Sequence, residues 1–420
     1  MQRRQFLVVA AIIMMFALVN SCSAPESSDE VELVPPVEGF HFIDTSFENA
    51  SPLDWEIDED RTIHIRLLSD HERSTPNRQG GHWHFKLEAD PGSQWIIILS
   101  DGFDTIWNRQ RITPLSDETT FCASPDGKEW TVHQTEMIEG NRLKLQVTVE
   151  TGELYIARIT PYSLSHLQSL KERIGGHDFV EITDIGRTVQ GRALEMIRVG
   201  DPDAPHSLVI RARAHPWEPG GNWVMDGLLD RLCGDDADAQ KWRKQFCVYV
   251  MPMANKDGVV AGMTRFNMRG KDLNREWDQP ADQVLAPEKH ALEQWLDAMV
   301  QKERRPDIYI DFHNDNNGNV SFRPPPQVTP DTNRHRPQHF EAVLRAHTWF
   351  TEVCRTSEPP KPGEPGGGLS ARYGFMAITH ELNSNYIAGL DQPASATHWK
   401  TYGASLPNVF AEYFNKENAE

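Results

Sequence analysis

The chain reads as an α/β protein: a mostly parallel, mixed sheet with helices on both faces, preceded by a small antiparallel β-sandwich domain. Three observations predict this. The hydrophobic pattern has a period of two over residues 38–162, it changes after Ser163 to apolar runs alternating with helical stripes, and reactive side chains cluster directly behind the apolar runs.

In the first segment Trp83, Phe85 and Leu87 alternate with His82, His84, Lys86 and Glu88, and Leu143, Leu145, Val147 and Val149 alternate with Arg142, Lys144, Gln146 and Thr148. Such strands have one face on a core and one in water. Turn signals at Asp101-Gly102, Asp126-Gly127 and Glu139-Gly140-Asn141 separate them. On this reading His82 and His84 are solvated. In the second segment, 163–420, Ser207 to Ala214 and Phe246 to Met251 read as strands, with Gly221 to Leu232 as a helix between them. Pro287 opens a helix whose Leu292, Trp295, Leu296 and Met299 form its apolar stripe, leaving His290 and Glu293 to meet water. Ile308 to Phe312 and Phe375 to Thr379 are further strands. Arg323 to Pro330 and Glu358 to Gly368 read as surface loops.

The 420 residues are 39% hydrophobic and 25% charged, enough apolar material for a packed core. Lys and Arg number 42 against 61 Asp and Glu, a formal charge of −19 that repels phosphate backbones, so no nucleic-acid partner is expected. Arg3-Arg4 followed by the apolar run Phe6 to Val19 fits a signal peptide and is too short to span a membrane. Val19-Asn20-Ser21-Cys22 resembles a bacterial lipobox. Residues 1–22 are therefore expected to direct export and to leave a lipid anchor at Cys22 as the membrane contact, with 23–37 an acidic, Pro-rich tether to a periplasmic or cell-envelope protein. Cys122, Cys233, Cys247 and Cys354 are too few for a disulfide scaffold and lack CxxC spacing. Cys233 and Cys247 form either a bridge or buried thiols.

Ligands in an open α/β sheet bind beyond the carboxyl ends of the strands. His215 and Glu218, Asn255 to Gly258, His313, and Glu381 all follow predicted strands. Two imidazoles and a carboxylate suit a zinc ion with a coordination position open for catalysis. The spacing His-x-x-Glu also occurs at His133/Glu136, within the β segment, and at His290/Glu293. Only His215/Glu218 lies in a strand-to-helix turn shaped by Pro216, Pro219, Gly220 and Gly221.

Several ordered motifs extend this reading: Ala157 to Tyr162 (ARITPY), Ala212 to Glu218 (ARAHPWE), Met251 to Gly258 (MPMANKDG), Gly270 to Trp277 (GKDLNREW), Ile310 to His313 (IDFH) and Thr379 to Glu381 (THE). Together they resemble the zinc metallocarboxypeptidases of the carboxypeptidase A superfamily, most closely the cytosolic-carboxypeptidase-like branch with its β-sandwich before the catalytic domain. The resemblance implies one Zn²⁺ per chain on His215, Glu218 and His313. It implies Asn274 and Arg275 as the clamp for the terminal carboxylate of a peptide substrate, Arg265 as the oxyanion stabiliser and Glu381 as the catalytic carboxylate. The guanidinium fork of Arg275 suits a carboxylate and would select a free C-terminus. Asp311, read as alternating away from His313, is either a partner behind the ligands or a polar group at the core edge and is left unassigned. The run Asn314 to Asn317 departs from the pattern of relatives, and no tyrosine lies in Glu358 to Arg372 where the digestive members carry a mobile one. Two other classes fit less of the chain: a zinc amidohydrolase acting on acylated amino acids, which needs no carboxylate clamp, and a catalytically silent envelope binding module.

Overall fold

In the computed structural model the described residues are 37–71, 73, 78, 80–100, 105–107, 110–112, 115–325, 337–356 and 363–415. The expected signal sequence and almost all of the tether lie outside them, as do parts of both predicted Pro- and Gly-rich loops. Among the described residues no helix is long and apolar enough to cross a membrane.

The N-terminal strands are β1 (Phe40–Asp44), β2 (Leu53–Ile57), β3 (Thr62–Leu67), β4 (His84–Ala89), β5 (Ser93–Ser100), a ribbon of β6 (Thr105–Trp107) and β7 (Gln110–Ile112), β8 (Thr120–Ser124), β9 (Thr131–Gln134), β10 (Glu136–Ile138), β11 (Arg142–Val149) and β12 (Glu153–Ala157). They form two five-stranded sheets, β1-β4-β12-β8-β9 and β10-β11-β5-β3-β2. Every pair in them is antiparallel except β3 with β5, which run parallel. The alternation seen in the sequence is the inward face: Trp83, Phe85 and Leu87, and Leu143, Leu145, Val147 and Val149, are all buried.

His82 and His84 do not meet water, contrary to the pattern. Both are buried, because the chain at Phe47 to Ser51 folds over the polar side of β4. Phe47 packs edge-on against His84, whose Nδ1 lies 3.3 Å from Asn49 Oδ1. Burial pushes His82 down to about 4 and His84 to about 3, so both are neutral.

After α1 (Leu164–Ile174) come β13 (Val180–Arg187), β14 (Ala193–Val199), β15 (His206–Ala212), α2 (Gly220–Leu232), α3 (Ala237–Gln245), β16 (Phe246–Met251), α4 (Lys256–Val260), α5 (Pro287–Gln301), β17 (Ile308–Asp315), β18 (Asn319–Arg323), α6 (Pro337–His347), β19 (Val353–Arg355), α7 (Pro365–Tyr373), β20 (Met376–Asn383), the ribbon β21 (Tyr386–Ile387) and β22 (Gln392–Pro393), and α8 (Ala396–Tyr413). The eight-stranded order is β13-β14-β16-β15-β17-β20-β18-β19, parallel from β16 through β20. Strand residues feed two cores, one on each face: Leu208, Ile210, Ile308 and Ile310 against α2 and α8, and Val209, Tyr249 and Tyr309 with Leu292 and Leu369 of α5 and α7. The chain leaves β15 for β16 on one side and later returns to β17 on the other, so the direction of winding reverses beside the carboxyl end of β15.

Glu293 is buried rather than solvated. Its carboxylate accepts from Ala281 N at 2.7 Å and from Arg372 Nη1 at 2.5 Å, so a polar position opposite the apolar stripe is covered by neighbouring chain. Pro365 to Gly368 open α7 and are buried, where a surface loop was expected. The four cysteines among the described residues are free thiols.

The crossing of α2 and α8 fixes where α2 begins, and α2 begins at the site. A Cβ on Gly227 would stand 2.0 Å from Lys400 O, and one on Gly403 would stand 1.9 Å from Val224 O. The backbones touch there, and only hydrogen fits. Gly403→Ala should destabilise the fold by about 1–3 kcal/mol through overpacking, read as a shifted midpoint in urea unfolding.

Candidate metal centre and catalytic site

The turn after β15 starts with Arg213, whose backbone is left-handed at φ 61°. Such a conformation costs of order 1–3 kcal/mol unless its surroundings enforce it. Here the buried guanidinium enforces it: Nε donates to Pro216 O at 2.6 Å, and Nη1 donates to Tyr162 O at 3.1 Å and to Asn222 Oδ1 at 3.0 Å. The bent chain carries His215 and Glu218 over the sheet edge. Gly220 and Gly221 then enter α2 with no room for side chains, since Cβ atoms there would meet Asn314 at 2.7 Å and Phe312 at 2.5 Å.

His313 and Glu381 stand directly opposite each other on the parallel strands β17 and β20. Both strands run past the ends inferred from the apolar runs, so these two residues sit within strands rather than behind them. The ligand atoms of His215, Glu218 and His313 lie within 4.8 Å of one another, and all three residues are buried. His215 Nδ1 is 2.8 Å from Glu218 Oε1, and His313 Nδ1 is 2.7 Å from Glu218 Oε2.

Behind each imidazole is a second carboxylate. His215 Nε2 lies 3.1 Å from Asp272 Oδ1, and His313 Nε2 lies 3.2 Å from Asp311 Oδ2. A carboxylate only accepts, so with a metal ion on the triad a hydrogen on each Nε2, toward its carboxylate, would leave each Nδ1 lone pair for the metal. The donor set and its backing carboxylates fit zinc. Each backing carboxylate is in turn held by an arginine fork. Arg265 donates to Asp272 Oδ2 through Nε at 2.9 Å, with Nη2 in ion-pair contact with the same oxygen at 2.7 Å; Arg211 donates to both oxygens of Asp311 at 2.8 and 2.5 Å. Asp311 therefore faces His313 instead of alternating away from it, because residues two apart on a strand share a face.

The fields follow this packing. Burial opposes charge on Glu218, yet His215 and His313 hold it down to about 2. Burial also opposes a charged His313, but Asp311 and Glu218 push it well above the usual imidazole range. Burial pushes Glu381 up to about 8; the His313 charge works against that, while Asp315 and Glu218 add to it.

Arg265, Asn274 and Arg275 lie on the stretch between α4 and α5. Arg265 is buried whereas Arg269 is exposed, which separates two arginines that the sequence leaves close together. Asn274 Oδ1 accepts from Arg211 Nη2 at 3.2 Å, and Arg275 Nη1 donates to Asn274 O at 2.8 Å. Burial lowers the Arg275 guanidinium, Asp272 opposes this, and Arg265, Glu364 and Glu381 also act on it. The predicted site thus converges on one edge of the sheet. Sequence reasoning missed Asp272 and Asp311. The spacing of Asp311 two before His313 was a usable signal, whereas nothing local marks Asp272 as a partner of His215. The unusual run after His313 is structural: Asn314 Oδ1 accepts from Gly220 N at 2.8 Å, and Asp315 accepts from the amides of Asn317 and Gly318. Tyr373 donates to Asp297 and Tyr386 to Asp391, so both hydroxyls have partners.

Fold and donor set together resemble those of metallocarboxypeptidases. Residues 164–323 match the family model Peptidase M14, zinc carboxypeptidase. The chain is 29% identical over 305 residues to an uncharacterised protein of Zymomonas mobilis, covering 70% of this chain and 78% of that one. It is 31% identical over 182 residues to cytosolic carboxypeptidase 2 of Xenopus tropicalis, covering 40% of this chain but 18% of that protein. It therefore spans only about a fifth of the length of that relative. A metallo-carboxypeptidase of Burkholderia cenocepacia shares the fold with a TM-score of 0.76 at 21% identity, over 89% of this chain and 98% of the other. The Pseudomonas aeruginosa metallo-carboxypeptidase, solved in complex with (2-guanidinoethylmercapto)succinic acid, gives 0.72 at 24% identity, over 89% of this chain and all of that one. The chain is thus similar to the zinc carboxypeptidases in residues 164–323, to cytosolic carboxypeptidases over part of its sequence, and to bacterial metallo-carboxypeptidases in fold.

The backing carboxylates give a direct expectation. Asp311→Asn should weaken zinc binding about 10- to 100-fold, measured by competition with a chromogenic chelator, and Glu381→Gln should leave it within about threefold. Equal affinity in Asp311→Asn and wild type would mean that the imidazole needs no carboxylate to orient it.

Proposed function

We propose that the protein is a zinc-dependent carboxypeptidase that hydrolyses the C-terminal amide bond of peptides. The observation that carries this is the convergence of the His215, Glu218 and His313 triad with Glu381 and with the Asn274-Arg275 pair. A zinc ion on the triad would supply an electrophile that polarises the scissile carbonyl and acidifies water. Glu381, buried next to His313, takes a proton from the attacking water and delivers it to the leaving amine. Arg265 meets charge that develops on the carbonyl oxygen, an interaction that grows toward the transition state. Arg275 and Asn274 hold the terminal carboxylate and so exclude internal bonds.

The strongly acidic chain is a poor attractor for polyglutamate, so cell-wall stem peptides or scavenged oligopeptides are the proposed substrates. Export and lipid modification at Cys22 belong to the same proposal. Loss of the protein from the membrane fraction in Cys22→Ala checks that part, and unchanged fractionation refutes it.

Turnover is tested with a mixed set of peptides having free or amidated C-termini, with products read by mass spectrometry. Single residues should be lost from the free ends only. Glu381→Gln should keep its zinc and lose about 10²- to 10⁴-fold in kcat. Arg275→Ala should raise KM for free C-termini by about 10-fold or more, the scale of a charge-assisted hydrogen bond of about 1.5–3 kcal/mol. Equal cleavage of amidated and free peptides, or hydrolysis confined to acylated amino acids, would point to an amidohydrolase instead.

A further inference from the structure

Asp70 lies in the sandwich just beyond β3 and is buried. Its carboxylate crosses to the α/β part of the chain and accepts three successive backbone N–H groups: Thr264 at 2.8 Å on Oδ1, and Arg265 at 2.5 Å and Phe266 at 3.0 Å on Oδ2. A buried carboxylate is costly unless its lone pairs are filled, and buried amides outside helices and strands need acceptors. Each satisfies the other here. The sandwich grips the same stretch at further points. His82 N donates to Thr264 Oγ1 at 3.4 Å, Asn49 N donates to Val260 O at 3.2 Å, and Asn49 Nδ2 donates to Val259 O at 2.9 Å. Gly262 is left-handed at φ 61°, and a Cβ there would stand 2.0 Å from Ala50 O, so the two chains are in backbone contact.

Arg265 is therefore fixed at both ends. Its amide is held by Asp70, and its guanidinium is held by Asp272, which also orients His215. No helix or strand covers residues 261–286, so local backbone structure contributes little to placing it.

We propose that Asp70 is a positioning residue of the reaction: the sandwich supplies, through this carboxylate, the backbone orientation that aims Arg265 at the scissile carbonyl. The sandwich is then part of the catalytic apparatus. This rests on the reading of Arg265 as the group that stabilises developing charge. The effect should appear in kcat and hardly in KM, since Asp70 touches neither the substrate clamp nor the triad.

The test uses the full chain loaded with zinc, in the variants Asp70→Asn, Asp70→Glu, Arg265→Ala and the double variant Asp70→Asn/Arg265→Ala. The probe is the free-C-terminus peptide that wild type cleaves fastest. Arg265→Ala should lose about 10²- to 10³-fold in kcat. Asp70→Asn should lose about 10- to 100-fold, with KM within about twofold and zinc content unchanged. Added to Arg265→Ala it should cost less than about threefold more, because it acts through the side chain already removed. In zinc-free protein the amides of residues 264–266 should exchange hydrogen at least about tenfold faster in Asp70→Asn, a readout that does not depend on turnover. Asp70→Glu keeps the charge but moves it by one methylene, and should fall between wild type and Asp70→Asn. If Asp70→Asn does not fold, Asp70→Glu decides: wild-type kcat overturns the inference and a kcat loss at unchanged KM supports it. Wild-type kcat in Asp70→Asn, or a full additive loss in the double variant, overturns the inference while leaving Arg265 in its role. Wild-type kcat in Arg265→Ala overturns the role of Arg265 and the inference with it.

Discussion

Two buried aspartate–arginine pairs carry the site. Asp272 with Arg265 and Asp311 with Arg211 stand behind the two imidazoles, and every one of these four side chains is buried. An imidazole ring rotates about its Cβ–Cγ bond with little cost, so two histidines alone would not hold their Nδ1 atoms toward one point. A carboxylate at each Nε2 removes that freedom. An unpaired buried carboxylate would cost on the order of several kcal/mol, and the guanidinium beside each acid offsets this; Arg211 does so bidentately and fixes the plane of Asp311. Such pairs give little net stability. Their value here is direction, since they convert the backbone positions of β15, β17 and the 261–286 stretch into an orientation of nitrogen lone pairs.

The same pairs join the His215, Glu218 and His313 triad to the segment that carries Asn274 and Arg275. Arg211 bonds Asp311 and also Asn274, while its guanidinium lies 5.0 Å from the centre of the Trp277 ring. Arg265 bonds the acid behind His215 while standing in the stretch that leads to Arg275. A displacement of either arginine would be felt at an imidazole and in the Asn274–Arg275 segment together. Arg211 and Arg265 thereby link the acids behind both imidazoles to the segment that carries Asn274 and Arg275.

Much of this was legible from residue order. The apolar runs marked β15, β16, β17 and β20, and the turn residues after β15 marked His215 and Glu218 against two decoys of equal spacing. What stayed hidden has a common cause, which is burial imposed from a distance. His84 looks solvated because its strand alternates, but a loop some 35 residues away in sequence covers it. Glu293 looks solvated because it lies off the apolar stripe, but Arg372 and Ala281 close over it. Strand length was underestimated for a related reason. β17 and β20 continue through His313 and Glu381 because they pair with each other, and pairing tolerates polar residues once those residues are satisfied across the sheet edge.

The stretch from 261 to 286 shows the limit of local reasoning most clearly. It carries Arg265, Asp272, Asn274 and Arg275, and it has no helix or strand of its own. A loop of that length has large conformational freedom, and side chains carried on it would be held loosely without further restraint. The structure restrains it from every side: Asp70 and Asn49 from the sandwich, Glu288 of α5 through Asn267, Arg211 of β15 through Leu273 and Asn274, and the 2.9 Å turn bond from Asp272 to Asn274 N. None of these restraints is local in sequence except the last. Precision in this site is therefore a property of tertiary packing around an irregular segment, and the sandwich contributes to it as directly as the sheet does.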